Sequence, residues 1–176
     1  MAFSEPQKII DQCGIQVGQV IADFGAGSGF YVIPASKALM ATGKVYAIDV
    51  QKDILVTIQN NCRKENLENV DVIWGDVEQI GGTKLKDSSV DLVIVCNLLF
   101  QIEDKRSMLA EAKRILVGGG RILVVDWEDS FGGIGPHKDQ VVKKDSCVSL
   151  FEGNGFSKDR EVEAGSHHYG MIFKKM

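Results

Sequence analysis

Histidine, proline and cysteine are all scarce in this sequence, at three, three and four residues in 176. Cys13, Cys62, Cys96 and Cys147 stand far apart with no C-x-x-C pair, which removes the ligand spacing of a zinc site. In the absence of any secretory context they read as reduced thiols. Three of them fall in apolar or helix-like segments, as small hydrophobes do. No apolar run approaches the ~20 residues of a membrane span. The opening Met1-Ala2-Phe3-Ser4-Glu5-Pro6 lacks the basic-then-apolar pattern of a secretory leader. A cytoplasmic protein with no membrane partner is therefore expected. Positive charge is short as well: 20 Lys and Arg against 24 Asp and Glu give a net charge of -4. That balance argues against nucleic acid as a partner, because a polyanion selects a basic face. Internal repeats and low-complexity stretches are also missing.

What is present is ordinary globular composition, 44% hydrophobic and 25% charged, in a length that suits one domain over residues 1–176. Ser4 is placed to cap a short first helix, with Pro6 in its first turn and Gly14 just past its end. Gln19–Phe24 is a short apolar run read as a buried strand. A helix-like run from Tyr31 to Met40 follows, closed by Gly43. Lys44–Asp49 is the next strand, ending on an acid. From Lys52 to about Asn66, Ile54, Leu55, Ile58 and Cys62 recur at helical spacing. Val70–Trp74 is a strand ending at Gly75-Asp76, and Val90–Cys96 is rich in β-branched residues. Lys105–Leu116 carries Met108, Leu109, Ala112 and Leu116 on one helix face, with Gly118-Gly119-Gly120 as its terminator. Arg121–Asp126 is another buried strand, and Trp127 to Lys138 is a glycine-rich loop. A helix from about Lys144 to Asn154 and two strands, Phe156–Val162 and Tyr169–Lys174, complete the chain. The Gly165-Ser166 turn between those strands is too short for a crossover, so they pair antiparallel. Strands alternating with helices predict an α/β, doubly wound, Rossmann-like sheet, mostly parallel with a final antiparallel hairpin strand.

The chemistry concentrates after the first strand, in Asp23-Phe24-Gly25-Ala26-Gly27-Ser28-Gly29. A strand turning sharply into a helix aims backbone N–H groups at one point, and glycines let a ligand come close to that backbone. Asp49 ends the next strand about 20 residues on, where a carboxylate accepts from ribose hydroxyls. A dinucleotide site shares this spacing, so a Rossmann dehydrogenase is an alternative. Two details separate the readings. The dinucleotide pattern is G-x-G-x-x-G, whereas here Gly25, Gly27 and Gly29 alternate and Phe30 follows. Asp23 also precedes the loop, and a carboxylate there repels a pyrophosphate but suits a ligand with a charged amino group.

Val20 to Gly29 resembles the first motif of class I S-adenosylmethionine-dependent methyltransferases, in a style similar to the ubiquinone-biosynthesis and arsenite-type branches. The resemblance covers Val20 to Asp126. It implies S-adenosylmethionine as cofactor and S-adenosylhomocysteine as product. It also implies Asp49, with Val50 and Gln51, at the ribose, and Gly75, Asp76 and Val77 at the adenine. Val93 to Leu99 is similar to the family's fourth-strand motif, placing Asn97, Leu98 and Leu99 near the cofactor. Phe30 and Tyr31 either line the methionine end or only pack the first helix. Lys113 to Arg121 resembles the R-x-L-K-P-G-G turn, with Val117 replacing Lys-Pro. Phe100 and Gln101 are candidates to face a substrate. Asp126 and Trp127 are either a pocket wall or a core plug, and His137 is either a general base or an exposed loop residue. His167 and His168, being adjacent, face opposite ways on a strand and do not chelate one ion. No metal site and no catalytic residue are assigned, since soft acceptors need no base. The expected activity is methyl transfer to a small-molecule acceptor by a monomer or weak homodimer. An RNA or protein methyltransferase and a cofactor-binding subunit that needs a partner chain are the alternatives.

Overall fold

A computed structural model describes residues 4–176; Met1, Ala2 and Phe3, read above for a leader pattern, lie outside the described residues. The elements run α1 (Pro6–Asp11), β1 (Val20–Phe24), α2 (Val32–Ala38), β2 (Lys44–Asp49), α3 (Lys52–Lys64), β3 (Val70–Trp74), β4 (Val90–Cys96), α4 (Lys105–Ile115), β5 (Leu116–Trp127), α5 (Lys144–Glu152), β6 (Phe156–Val162) and β7 (His168–Lys175). They build one seven-stranded sheet in the order β3-β2-β1-β4-β5-β7-β6. The first five strands pair parallel. β7 lies antiparallel between β5 and β6, as a turn of that length requires.

The central strands β1 and β4 are buried over most of their length because both sheet faces are covered. On one face, Ile9 and Ile10 of α1, Val32 and Ala35 of α2, and Leu55, Ile58 and Cys62 of α3 pack against Ile21, Ala47 and Ile94. On the other, Met108, Leu109 and Ala112 of α4, with Cys147 and Phe151 of α5, pack against Phe24, Val93, Val95 and Val124. Phe151 stacks on Phe173 with ring centroids 4.4 Å apart. The four cysteines are free thiols, and Cys13, Cys62 and Cys147 are buried among these apolar neighbours.

Two local expectations are corrected. Ser4 does not cap α1: Glu5 is the N-cap residue, with no side-chain cap hydrogen bond, and Pro6 opens the helix. Pro lacks an N–H there, so one donor needing a cap is already gone. Gly118-Gly119-Gly120 does not terminate α4 either. The helix ends at Ile115, and Leu116 has turned to extended backbone, φ -69 and ψ 137. The carbonyls of Arg114 and Ile115 are taken by the N–H groups of Ser88 and Ser89, at 3.0 and 2.7 Å. These donors come from the segment entering β4, so glycine is not needed to satisfy the helix end. The glycines instead form an irregularity within β5, where pairing with β4 skips from Val90–Leu116 to Leu92–Arg121. Among the described residues no helix is long and apolar enough to cross a membrane.

Candidate functional site

The C-terminal ends of β1, β2, β3, β4 and β5 meet along one sheet edge, and the start of antiparallel β7 returns to the same edge. Beyond β1 the chain must turn at once, and Gly25, Gly27 and Gly29 all adopt positive φ, the region open to glycine. Gly25 is also sterically confined: an added Cβ would lie 2.6 Å from Leu98 Cδ1. The loop is stitched to β2 by the Ala26 N–H, which donates to the Ile48 carbonyl at 3.0 Å. Asp49 completes the seam. Its Oδ2 accepts from the Gly27 N–H at 3.1 Å and its Oδ1 from the Gln51 N–H at 2.9 Å. Two backbone donors leave further lone pairs on the carboxylate for a ligand.

The next wall is built the same way. Asp76 accepts from the Glu78 N–H and from Gln79 Nε2, both at 2.9 Å. The turn after it is held from α4 at two points. Glu78 Oε2 accepts from the Asp104 N–H at 2.6 Å. Glu111, fully buried, accepts from the N–H groups of Gly81 and Thr83 and from the Thr83 hydroxyl. Arg114 grips the same carboxylate through Nε and Nη2, at 2.8 and 2.7 Å. Burial alone would raise the Glu111 carboxyl, but Arg114, Thr83 and the two backbone donors outweigh it and hold it at about 2.

Between these walls lies a cavity of about 320 Å³, at the lower end of small-ligand sites. Of the residues the sequence nominated, Gly25, Gly27, Asp49, Val50, Gln51, Gly75, Asp76, Val77 and Leu98 line it. Gln101, nominated for a substrate, lines it as well. Ser28, Gly29 and Phe30 border a second, shallower depression with Pro6, Ile33 and Pro34, and Phe30 is 71% exposed. Phe24 and Leu99 are fully buried in the core, and Ala26 nearly so, and none of the three reaches the cavity surface. Ile48, Ile54, Glu78 and Ile102 also line the cavity and were missed. The sequence pattern marks Ile48 and Ile54 only as strand and helix core. Glu78 and Ile102 sit in connections with no periodic pattern to place them.

Asp23 and Tyr31 lie behind the glycine loop. Asp23 is 2% exposed, and its carboxyl has no hydrogen-bond partner among the described residues. Burial, reinforced by the Asp49 charge, pushes it up to about 8. The Tyr31 hydroxyl is likewise buried without a hydrogen-bond partner among the described residues. A buried acid with nothing to pair is costly unless a ligand supplies the cation. Asn97 follows β4 in a left-handed conformation, φ 51. Its N–H donates to the Val125 carbonyl, and its own carbonyl accepts from Gln101 Nε2 at 2.8 Å. Asp126 is fully buried and accepts from the N–H groups of Leu99 and Trp127, each at 2.8 Å. Burial outweighs those bonds and raises its carboxyl to about 6. The adjacent histidines do face apart: His167 meets Asp129 and stacks on Phe131, whereas His168 turns inward against Trp127 and Asn97. His137 is exposed. No group of three or more His, Cys, Asp or Glu among the described residues is arranged to hold a metal ion.

A loop with close backbone approach, an acid at the end of each of two further strands and a buried unpaired carboxyl suit a nucleoside ligand bearing a cationic amino group, not a pyrophosphate. Comparison with known proteins agrees. Residues 15–164 match a family model described as a methyltransferase domain. The Escherichia coli ubiquinone/menaquinone biosynthesis C-methyltransferase UbiE is 30% identical over 122 residues, which is 67% of this chain and 46% of that protein. An uncharacterized transposon protein of Streptomyces fradiae is 31% identical over 129 residues, 72% of this chain and 36% of that one. The chain thus spans less than half the length of these curated relatives. A crystal structure of an S-adenosylmethionine-dependent methyltransferase from Aquifex aeolicus superposes with a TM-score of 0.89 at 27% identity, covering 99% of this chain and 91% of that one. The [4+2]-cyclase SpnF shares the fold alone, with a TM-score of 0.79 at 12% identity over 96% of this chain and 81% of that one. The chain belongs to the methyltransferase-domain family, within the class I S-adenosylmethionine-dependent methyltransferases.

Proposed function

We propose that this enzyme methylates a small-molecule acceptor, using S-adenosylmethionine held in the cavity between the glycine loop and the Asp76 turn. The buried, unpartnered Asp23 carboxyl beneath the glycine loop carries this reading of the cofactor. In it, Asp23 pairs with the amino group of the methionine moiety, and Asp49 accepts from the ribose hydroxyls with its remaining lone pairs. Asp76 accepts from the adenine amino group, and Val77 and Ile54 pack on the ring. When bound, the cofactor supplies an electrophilic methyl group on a sulfonium. The protein's part is to orient that group and exclude water. No side chain is assigned as a base, because a soft acceptor loses no proton before attack.

The choice of a small acceptor rests on charge. A net charge of -4 leaves little to attract RNA, and UbiE, a C-methyltransferase of quinone biosynthesis, is among the relatives. The same reading has the enzyme working in the cytoplasm as a monomer or weak homodimer. Calorimetry with S-adenosylhomocysteine and, separately, NAD tests the cofactor. Binding of the first with no response to the second is expected, and tight NAD binding alone refutes the reading. A radiolabelled-methyl screen over small molecules, total tRNA and protein then tests the acceptor. Label entering only RNA or protein overturns the small-molecule assignment.

A further inference from the structure

Of the three histidines, only His168 is buried, 7% exposed. It opens β7 opposite Trp127 of β5, with the two ring centroids 4.3 Å apart. Gly135 packs closely on Trp127: an added Cβ there would lie 2.8 Å from the indole. His168 Nδ1 is 3.1 Å from the Ser166 carbonyl oxygen, and Nε2 is 3.0 Å from Asn97 Oδ1. Both ring nitrogens thus face an oxygen. A neutral imidazole has one N–H and one lone pair, so it satisfies only one such contact. Two arrangements satisfy both. An imidazolium donates from each nitrogen. A neutral ring protonated at Nδ1 keeps the bond to Ser166 and needs the Asn97 amide turned by half a rotation, so that Nδ2 donates to Nε2. The amide nitrogen and oxygen occupy nearly the same space, and the turn requires no movement of the backbone.

The surroundings favour the neutral arrangement. Burial lowers the His168 pKa; the Ser166 carbonyl opposes this, the neighbouring His167 adds to it, and Asp129 opposes it. The Asn97 backbone is pinned at both ends, its N–H on Val125 and its carbonyl on the cavity-lining Gln101. Only its side-chain amide is left to respond to the histidine.

We propose that His168 is a positioning residue at the edge of the site: its ring holds the amide of Asn97, which is next to the cavity-lining Leu98 and bonded to the cavity-lining Gln101, in one of two orientations. This rests on the methyl-transfer reading above. With the ring neutral, Nδ2 is committed to His168 and Oδ1 is freed to accept from a ligand O–H or N–H. With the ring protonated, Oδ1 is committed and the amide offers only donors, which disfavours such a ligand.

The test uses ¹⁵N-labelled full-length protein. Long-range ring spectra at pH 7.5 are expected to show His168 as the neutral Nδ1–H tautomer. On acidification the Asn97 side-chain amide resonances should shift with the same midpoint as His168. In H168Q that Asn97 transition should disappear, although Asp126 nearby still titrates. In N97D the new carboxylate favours the imidazolium, and the His168 midpoint should rise by about one pH unit or more. An Nε2–H tautomer at pH 7.5, Asn97 resonances unmoved through the His168 titration, or an unchanged His168 midpoint in N97D overturns the inference. N97D keeps the test decisive if H168Q does not fold. Calorimetry with S-adenosylhomocysteine on the same samples separates the two proposals. Absence of binding refutes the cofactor reading, whereas the ring and amide signals report on His168 regardless.

Discussion

Asp23→Asn should make the ligand-free protein more stable and the enzyme worse. Asp23 is 2% exposed with its carboxyl raised to about 8, so near pH 7 it holds a proton that an unfolded chain, with a carboxylate pKa of about 3.9, has released. A folded-state pKa above the unfolded value fixes the sign. The carboxyl's contribution to stability is fully present below about pH 4 and is lost as pH rises toward 8. At about 1.4 kcal/mol per pH unit, the roughly three units to pH 7 amount to about 4 kcal/mol as a ceiling. Asparagine is nearly isosteric with the protonated acid and does not titrate, so it removes this loss. For a chain of this size, 2–4 °C per kcal/mol converts the ceiling to a rise of roughly 10 °C in melting temperature.

Function should move the other way. The amide cannot neutralise an ammonium group, and a lost charge-assisted hydrogen bond of about 1.5–3 kcal/mol is tenfold or more in affinity. Wild-type binding should also release a proton near pH 7 as Asp23 ionises against the ligand's amino group. Melting curves of both proteins between pH 5 and 8 check the stability half. S-adenosylhomocysteine titrations in buffers of different ionisation enthalpy check the proton. A melting temperature for Asp23→Asn at or below wild type at pH 7, or equal proton release in the two proteins, refutes the reasoning.

Asp49→Ala should weaken S-adenosylhomocysteine binding by more than tenfold in calorimetry, because it removes two charge-assisted acceptors and the tether on Gly27. Gly25→Ala, with φ 64 and an added Cβ 2.6 Å from Leu98 Cδ1, should lower the melting temperature and weaken the same ligand, since strain and overpacking each cost about 1–3 kcal/mol. Glu111→Ala should destabilise by about 1–3 kcal/mol in urea unfolding, because it leaves the buried Thr83 hydroxyl without its acceptor and leaves Arg114 only Asp87 of its two carboxylate partners. The Glu111 carboxyl is lowered in the fold, to about 2, so its contribution is full above the ordinary carboxylate range and is lost as pH falls toward 2. The gap in melting temperature between wild type and Glu111→Gln should therefore narrow on acidification from pH 6 to 3.

What could be read ahead of the structure, and what could not, divides by the range of the interaction. β2, β3, β4 and β6 begin and end where the sequence places them; for β4, burial on both faces leaves a local apolar signature. Asp49 and Asp76 were legible for the same reason: each ends a strand that can be counted from the sequence. The end of α4 was not. Its last carbonyls are satisfied by Ser88 and Ser89, more than 20 residues earlier, so three glycines at the expected place were free for the irregularity in β5. Glu111 has the sequence context of a solvated helix position, and it is buried only because Gly81 and Thr83 come to it across 30 and 28 residues. His168 and Asn97 are 71 residues apart, and each alone looks like turn chemistry. The cofactor side of this site is set by strand ends and a local loop, so it carries a motif. The His168–Asn97 contact joins the chain just after β4 to the start of β7, with no fixed spacing. A sequence can therefore mark strand-end and loop residues, while a pair such as His168 and Asn97 must be read from the structure.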